Sequence, residues 1–237
     1  MTAPPDLSVV IPSYNEEARL PRTLAVIDPY LTSLGRSFEV VLSDDGSRDG
    51  TAAVMERAAA EHPYVRVVRL PANRGKGRAI AAGVAITSGR RVLISDADLS
   101  TPIDELPKLE AAMAEGAGVA IASRAVPGSR IEVSQPAHRV LMGKSFNLLV
   151  RALVLPGLSD TQCGFKLFDG EDARRYFAAL RTDGFAYDVE ILWRARQEGR
   201  SVHEVPVRWL HSAPTRVAAI RHSADMLKDV VRLRLGR

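Results

Sequence analysis

One cysteine, Cys163, occurs in 237 residues. No internal disulfide can form, which fits a reducing compartment. Aromatic residues are scarce at 5%. No stacked-aromatic platform or recognition motif accompanies the net charge of +4, so nucleic-acid binding is set aside. No run approaches the ~20 apolar residues of a membrane-spanning helix. The opening Met-Thr-Ala-Pro-Pro-Asp lacks the basic and apolar regions of a signal peptide. Repeats, low-complexity tracts and clear linkers are missing too. The expectation is a cytoplasmic protein. What is present is an ordinary globular balance, 46% hydrophobic and 25% charged, in a chain long enough for a sizeable core. The basic excess permits attraction to phosphates or to an anionic membrane.

The chain centres on Arg91-Val-Leu-Ile-Ser-Asp-Ala-Asp98. A short β-branched run reads as a buried strand, and two carboxylates follow one residue apart. Taken alone, such a pair is most often an Asp-rich turn. Pointed the same way, it suits a hard cation, Mg²⁺ or Mn²⁺, that also takes phosphate oxygens and water. The first half alternates strands (Leu7–Pro12, ended by its proline; Phe38–Leu42; Val65–Leu70) with helices marked by Leu20, Leu24, Ile27 and Leu31, by Thr51–Glu61 and by Arg78–Thr87. Glu16 and Glu17 suit a helix N-terminus. In the second half, helix is expected over Pro107–Glu115, Asp172–Leu180 and Tyr187–Glu198. Strand is expected over Gly118–Ala122, Thr161–Phe168 and Val202–Trp209. The pattern predicts a Rossmann-like three-layer α/β/α fold with a mostly parallel sheet. Loops beyond the carboxyl ends of such strands form a ligand crevice. Here they carry Tyr14 and Glu16, Asp44 and Asp45, Arg74 and Lys76, and Asp96 and Asp98. Mixed charges gathered there suit a nucleotide with a metal ion. Residues 1–237 read as one domain, with a nucleotide half (1–101) and an acceptor half (102–237).

Val9-Val-Ile-Pro-Ser-Tyr-Asn-Glu-Glu17, Asp44-Asp-Gly-Ser-Arg-Asp-Gly-Thr51, Asn73-Arg-Gly-Lys-Gly77 and Asp96-Ala-Asp98 together resemble the family 2 glycosyltransferases of the GT-A fold. Asp160-Thr-Gln-Cys-Gly-Phe-Lys-Leu-Phe168 and Phe185-Ala-Tyr-Asp-Val-Glu190 are similar to the dolichyl- or polyprenyl-phosphate β-glucosyltransferase branch. The resemblance implies an inverting, metal-dependent transfer of glucose from UDP-glucose to a polyprenyl phosphate. Alternatives are a GDP-mannose donor, a hydroxyl acceptor, or a nucleotide-sugar binding module without turnover. It also implies roles. Pro12, Tyr14 and Glu16 would line the base and ribose pocket, and Asp44 would accept from the base. Asp45 would join it or only cap its loop. Lys76 would lie near the diphosphate. Asp96, with Ala97, would sit on the nucleotide side of the metal, and Asp98 would ligate it. Ser100 stands where the mannose branch often has a Gln. His211, in Trp209-Leu-His211, is a candidate for the metal or diphosphate, against the plainer reading of a loop histidine.

An anionic acceptor needs cations more than a base; Arg124, Arg130 and Arg139 are the candidates, guanidinium forks being suited to phosphate. Asp188 would serve as base for a hydroxyl acceptor or orient an arginine. Glu190, Trp193, Trp209 and Cys163 read as structural. Ile220–Leu235 sets Ile220, Leu227, Val230, Val231 and Leu235 against Arg221, Lys228, Arg232 and Arg234. Such a helix either lies in a membrane interface or packs on the domain. His138–Leu155 is a second candidate surface. Peripheral attachment to the inner face of the cell membrane is expected.

Overall fold

The computed structural model describes residues 3–132, 137–210 and 219–235; the side chains of 137–142, 144 and 219–225 fall outside that description. Strand β1 (Leu7–Ser13) is buried throughout because both its faces are covered. Val9 and Ile11 enter one apolar cluster and Val10 the other, the period-two alternation of a central strand. Strands β2 (Phe38–Asp44), β3 (Val65–Arg69) and β4 (Arg91–Ser95) extend the sheet in parallel. Between them run α1 (Leu20–Ser33), α2 (Thr51–Glu61) and α3 (Lys76–Ala85). The second half adds α4 (Leu106–Ala114), β5 (Val119–Ser123), β6 (Arg130–Ile131), α5 (Ala137–Leu153), β7 (Phe165–Asp169), α6 (Gly170–Ala178), α7 (Tyr187–Gln197), β8 (Val202–Pro206), β9 (Arg208–Trp209) and α8 (Ala219–Arg234).

The sheet has seven strands in the order β3-β2-β1-β4-β7-β5-β8, and β6 pairs with β9 in a separate ribbon. β7 runs antiparallel to both β4 and β5, and every other pairing is parallel. On one face Ile27 and Leu31 of α1, Met55 of α2 and Leu109 of α4 cover the sheet. The other face is covered by Ile80 of α3, Val150 of α5, Tyr176 of α6, Leu192 of α7 and Val230 of α8. The fold is a three-layer α/β/α sandwich, mostly parallel.

Some local expectations are corrected. The stretch Val202–Trp209, read as one strand, is divided between β8 in the main sheet and β9 in the ribbon, and the strand expected over Thr161–Phe168 begins only at Phe165. β1 does not end at Pro12 but runs to Ser13. The Ser13 carbonyl accepts from Asp45 N on the β2 side, so the neighbouring Pro12 faces the β4 side. The β1–β4 ladder has already ended there, at Val10 opposite Ile94, and the missing N–H breaks no bond. Nor do Glu16 and Glu17 cap α1, whose first turn holds no acid. Glu17 instead accepts from Gly50 N at 3.0 Å, and Asn15 Oδ1 from Arg48 N at 2.9 Å. Asn15 N and Glu16 N in turn donate to Ser47 Oγ and Thr51 Oγ1. The two loops are stitched into one rim of the crevice.

Candidate active site

The site is built where β1, β2, β4 and β5 end. Asp96 and Asp98 leave β4 in a tight turn, Leu99 N donating to Asp96 O at 3.1 Å. Leu99 sits at φ 48°, a left-handed backbone uncommon for a branched residue and a sign that the turn is held by its surroundings. Thr23 of α1 donates to the Ala97 carbonyl at 2.5 Å, fixing the turn from beneath. Gly164, just ahead of β7, closes the other side: a Cβ there would lie 2.0 Å from Asp96 Oδ2. The Asp96 carboxylate therefore rests on bare backbone.

Lys76 opens α3 and places Nζ 2.6 Å from Asp96 Oδ1. That oxygen is buried and meets no aligned hydrogen-bond donor among the described residues. The glycine loop that aims Lys76 is pinned by Asp45, which accepts from Arg74 N at 2.8 Å and Gly75 N at 2.9 Å. Gly75 has φ +111°, and a Cβ there would meet Asp183 O at 2.5 Å. Asp45 thus braces a neighbouring loop. Burial pushes its carboxyl up, opposed by those amide bonds. Asp44 is fully buried; Oδ1 accepts from Ser47 N at 2.9 Å. Its Oδ2 lies 3.2 Å from Arg69 Nε, yet no hydrogen bond satisfies it among the described residues.

Asp98 accepts from Ser100 N at 2.9 Å. Burial, and then the charge of Asp96, hold its carboxyl above the usual range. A divalent cation would relieve that like-charge conflict. Among the described residues, no three His, Cys, Asp or Glu side chains gather to hold a metal. The two carboxylates of Asp96 and Asp98 are a donor set that fits an ion taking most of its shell from phosphate oxygens and water.

Arg124 follows β5. Its Nε and Nη2 reach Asp160 at 2.7 and 2.8 Å, and its guanidinium stacks 5.4 Å from the Trp209 ring centroid. Cys163 is buried beside it, and burial pushes its thiol up to about 11, in keeping with an inert core residue. Among the described residues, the partner of Asp188 is a lysine rather than an arginine. Asp188 forms a buried ion pair with Lys166 of β7, whose Nζ also donates to Cys163 O at 2.5 Å. Burial holds the Asp188 carboxyl up, opposed chiefly by Lys166. Glu190 accepts from Arg181 N and Thr182 N at 3.0 and 2.8 Å and pairs with Arg194. Pro12 is buried, Tyr14 and Glu16 are half-buried on the crevice rim, and Glu16 pairs with Arg19 at 2.7 Å. Arg130 is exposed on β6. The Arg139 side chain and His211 lie outside the described residues.

The structure brings together Asp96, Asp98 and Lys76, with Asp44 and Asp45 on the adjoining loops and Arg124 at the end of β5. Asp160, Gly164 and Lys166 were not singled out from sequence. They fall in the Asp160–Phe168 stretch, but their contacts depend on how β7 inserts between β4 and β5.

Residues 8–177 match the sequence model of Glycosyl transferase family 2. A dolichyl-phosphate β-glucosyltransferase of Dictyostelium discoideum is 34% identical over 240 residues, covering 96% of this chain and 73% of that protein. The Homo sapiens protein of the same name is 35% identical over 242 residues, covering 97% and 75%. Among solved structures, glucosyl-3-phosphoglycerate synthase of Mycobacterium tuberculosis, bound to Mn²⁺, UDP and glucosyl-3-phosphoglycerate, superposes with a TM-score of 0.72. It is 22% identical, and the match covers 98% of this chain and 80% of that one. A family match over most of the chain and relatives above 30% identity along nearly all of it place this protein: it belongs to glycosyl transferase family 2 and is a glycosyltransferase.

Proposed function

We propose that the chain transfers glucose from UDP-glucose to a polyprenyl phosphate of the dolichyl type, with inversion at the anomeric carbon. The names of its relatives support the sugar and the acceptor. The Mn²⁺ and UDP bound by the structural neighbour support the donor class. The observation that carries the reading is the Asp96–Asp98 turn with Lys76 against it.

Asp44 Oδ2, buried and without a hydrogen bond among the described residues, is the acceptor for a base N–H. Pro12, Tyr14 and Glu16 line the base and ribose, with Ala97 against the donor. Asp96 and Asp98 would hold Mg²⁺ or Mn²⁺, and the ion would supply positive charge where the diphosphate departs. Lys76 adds a cation on the same side. Arg124, with Arg130 and Arg139 in support, receives the acceptor phosphate. That phosphate is already anionic near neutral pH, so its oxygen needs no strong base. Asp188, committed to Lys166, is not required as one. Attack opposite the leaving group gives a β-linked product from an α-linked donor.

The test is a panel of nucleotide sugars with Mg²⁺ or Mn²⁺ and a short polyprenyl phosphate. UDP-glucose is expected to give product. Asp98→Ala is expected to lower kcat by at least about 100-fold, as for loss of a main electrostatic stabiliser, with little change in Tm. Product from GDP-mannose alone, or a variant as active as the wild type, would reject the reading.

The lipid acceptor also calls for a membrane contact. Among the described residues no helix is long and apolar enough to cross a membrane. α8 packs on the domain through Val230 and Leu233, yet leaves Leu227, Val231 and Leu235 at 42%, 40% and 63% exposure. These share one face four residues apart, beside exposed Lys228, Arg232 and Arg234. Leu148 of the adjoining α5 is 68% exposed. Such a face suits peripheral attachment to the inner, anionic leaflet. Co-sedimentation with anionic vesicles at low salt is expected, and its loss in Leu227→Gln/Val231→Gln; neutral and anionic vesicles binding equally would count against it.

A further inference from the structure

Lys76 stands on the carboxylate that a divalent cation would share. Its Nζ is 2.6 Å from Asp96 Oδ1. The Asp96 carboxyl rests on the Gly164 backbone, with no room for even a methyl group between them, so it has no freedom to move toward β7. Lys76, by contrast, carries a compact charge on a flexible stem and is half-buried at the first position of α3. Three carboxylates, Asp96, Asp98 and Asp188, face two ammonium groups, Lys76 and Lys166, across this part of the site. A divalent cation changes their formal sum from −1 to +1, and the mobile member of the set becomes the surplus charge. Asp188 is the inward alternative for Lys76, and it is already held by Lys166.

We propose that Lys76 is a place-holding cation. It neutralises Asp96 until the metal and donor arrive, then passes to the diphosphate, because the Lys166–Asp188 pair closes the inward route. The inference rests on the donor site proposed above and adds to it an antagonism between Lys76 and the metal. Lys76 therefore weakens metal binding to the empty enzyme and strengthens it once UDP is present. Lys166 acts through Asp188 as a positioning residue.

The test is calorimetric titration of Mn²⁺ into the full chain, with and without UDP, for wild type, Lys76→Gln and Lys76→Arg. Without UDP, Lys76→Gln is expected to bind Mn²⁺ roughly tenfold more tightly than wild type, the order set by removing one charge close to a divalent ion behind solvent screening. The gain in Mn²⁺ affinity that UDP confers is expected to shrink in Lys76→Gln. Lys76→Arg, which keeps the charge, is expected to bind Mn²⁺ as wild type does. A residue that merely shaped the loop would weaken Mn²⁺ binding when replaced. Equal or weaker Mn²⁺ binding by Lys76→Gln, or an unchanged gain from UDP, would overturn the proposal while leaving the donor site intact. A wild-type protein that binds no Mn²⁺ even with UDP would overturn both.

Discussion

Arg124 meets Asp160 through two parallel hydrogen bonds, and Asp160 is almost wholly buried. Burial by itself would raise the Asp160 carboxyl; Arg124 outweighs it and holds the group below its ordinary value. The stabilisation is therefore present above the ordinary carboxylate value of about 4 and is lost as pH falls through the lowered one. Asp160→Asn leaves a guanidinium poorly compensated and is expected to cost about 2–4 kcal/mol at pH 7. Urea unfolding at pH 7 and pH 3 should show that difference shrinking in acid. Cys163, its thiol pushed up to about 11, is expected to resist iodoacetamide at pH 8 in the folded protein and to react in urea. Arg124 and Cys163 were both legible as residues. The partner of Arg124 was not, because Asp160 lies 36 residues away and only the fold closes that interval. Lys166 was equally opaque: a lysine among Phe165, Leu167 and Phe168 gives no sign by spacing that it is buried on Asp188.

The elements that aim the site are a glycine loop and a strand entrance. Gly75 turns the chain into α3 at positive φ, and Gly164 lets β7 start against Asp96. Gly164→Ala has no place for its methyl group and is expected to displace Asp96. A kcat loss of at least about tenfold, with weakened Mn²⁺ binding and most of the melting temperature retained, is the outcome to look for. A variant with unaltered Mn²⁺ affinity would mean the turn yields elsewhere. Most strands could be read from their apolar runs, and most helices from the spacing of residues such as Leu20, Ile27 and Leu31. The direction of β7 could not be, since a five-residue strand such as Phe165–Asp169 reads the same in either orientation. The acids of the β1–α1 loop misled for a related reason. A carboxylate near a helix start suits capping, but Glu17 found the Gly50 amide of the next loop instead.

Taken together, the two halves share one sheet, and β7 is the strand that joins them: Arg91–Ser95 pairs with Phe165–Asp169 on one side, and β5 lies on the other. A fragment ending at residue 101 would carry Val92, Leu93 and Ile94 on an uncovered edge. It is expected to aggregate when expressed alone, and sedimentation of the lysate would reveal this. Recovery of a monomeric, UDP-binding fragment would refute it.

The same insertion has a consequence for synthesis. β4 must wait for a partner strand that begins 70 residues later, counting from Ser95 to Phe165. At roughly 5–20 residues per second on the ribosome, the edge beneath the two aspartates stays open for several seconds in every nascent copy. The turn carrying Asp96 and Asp98 thus gains its floor only after β7 has been made.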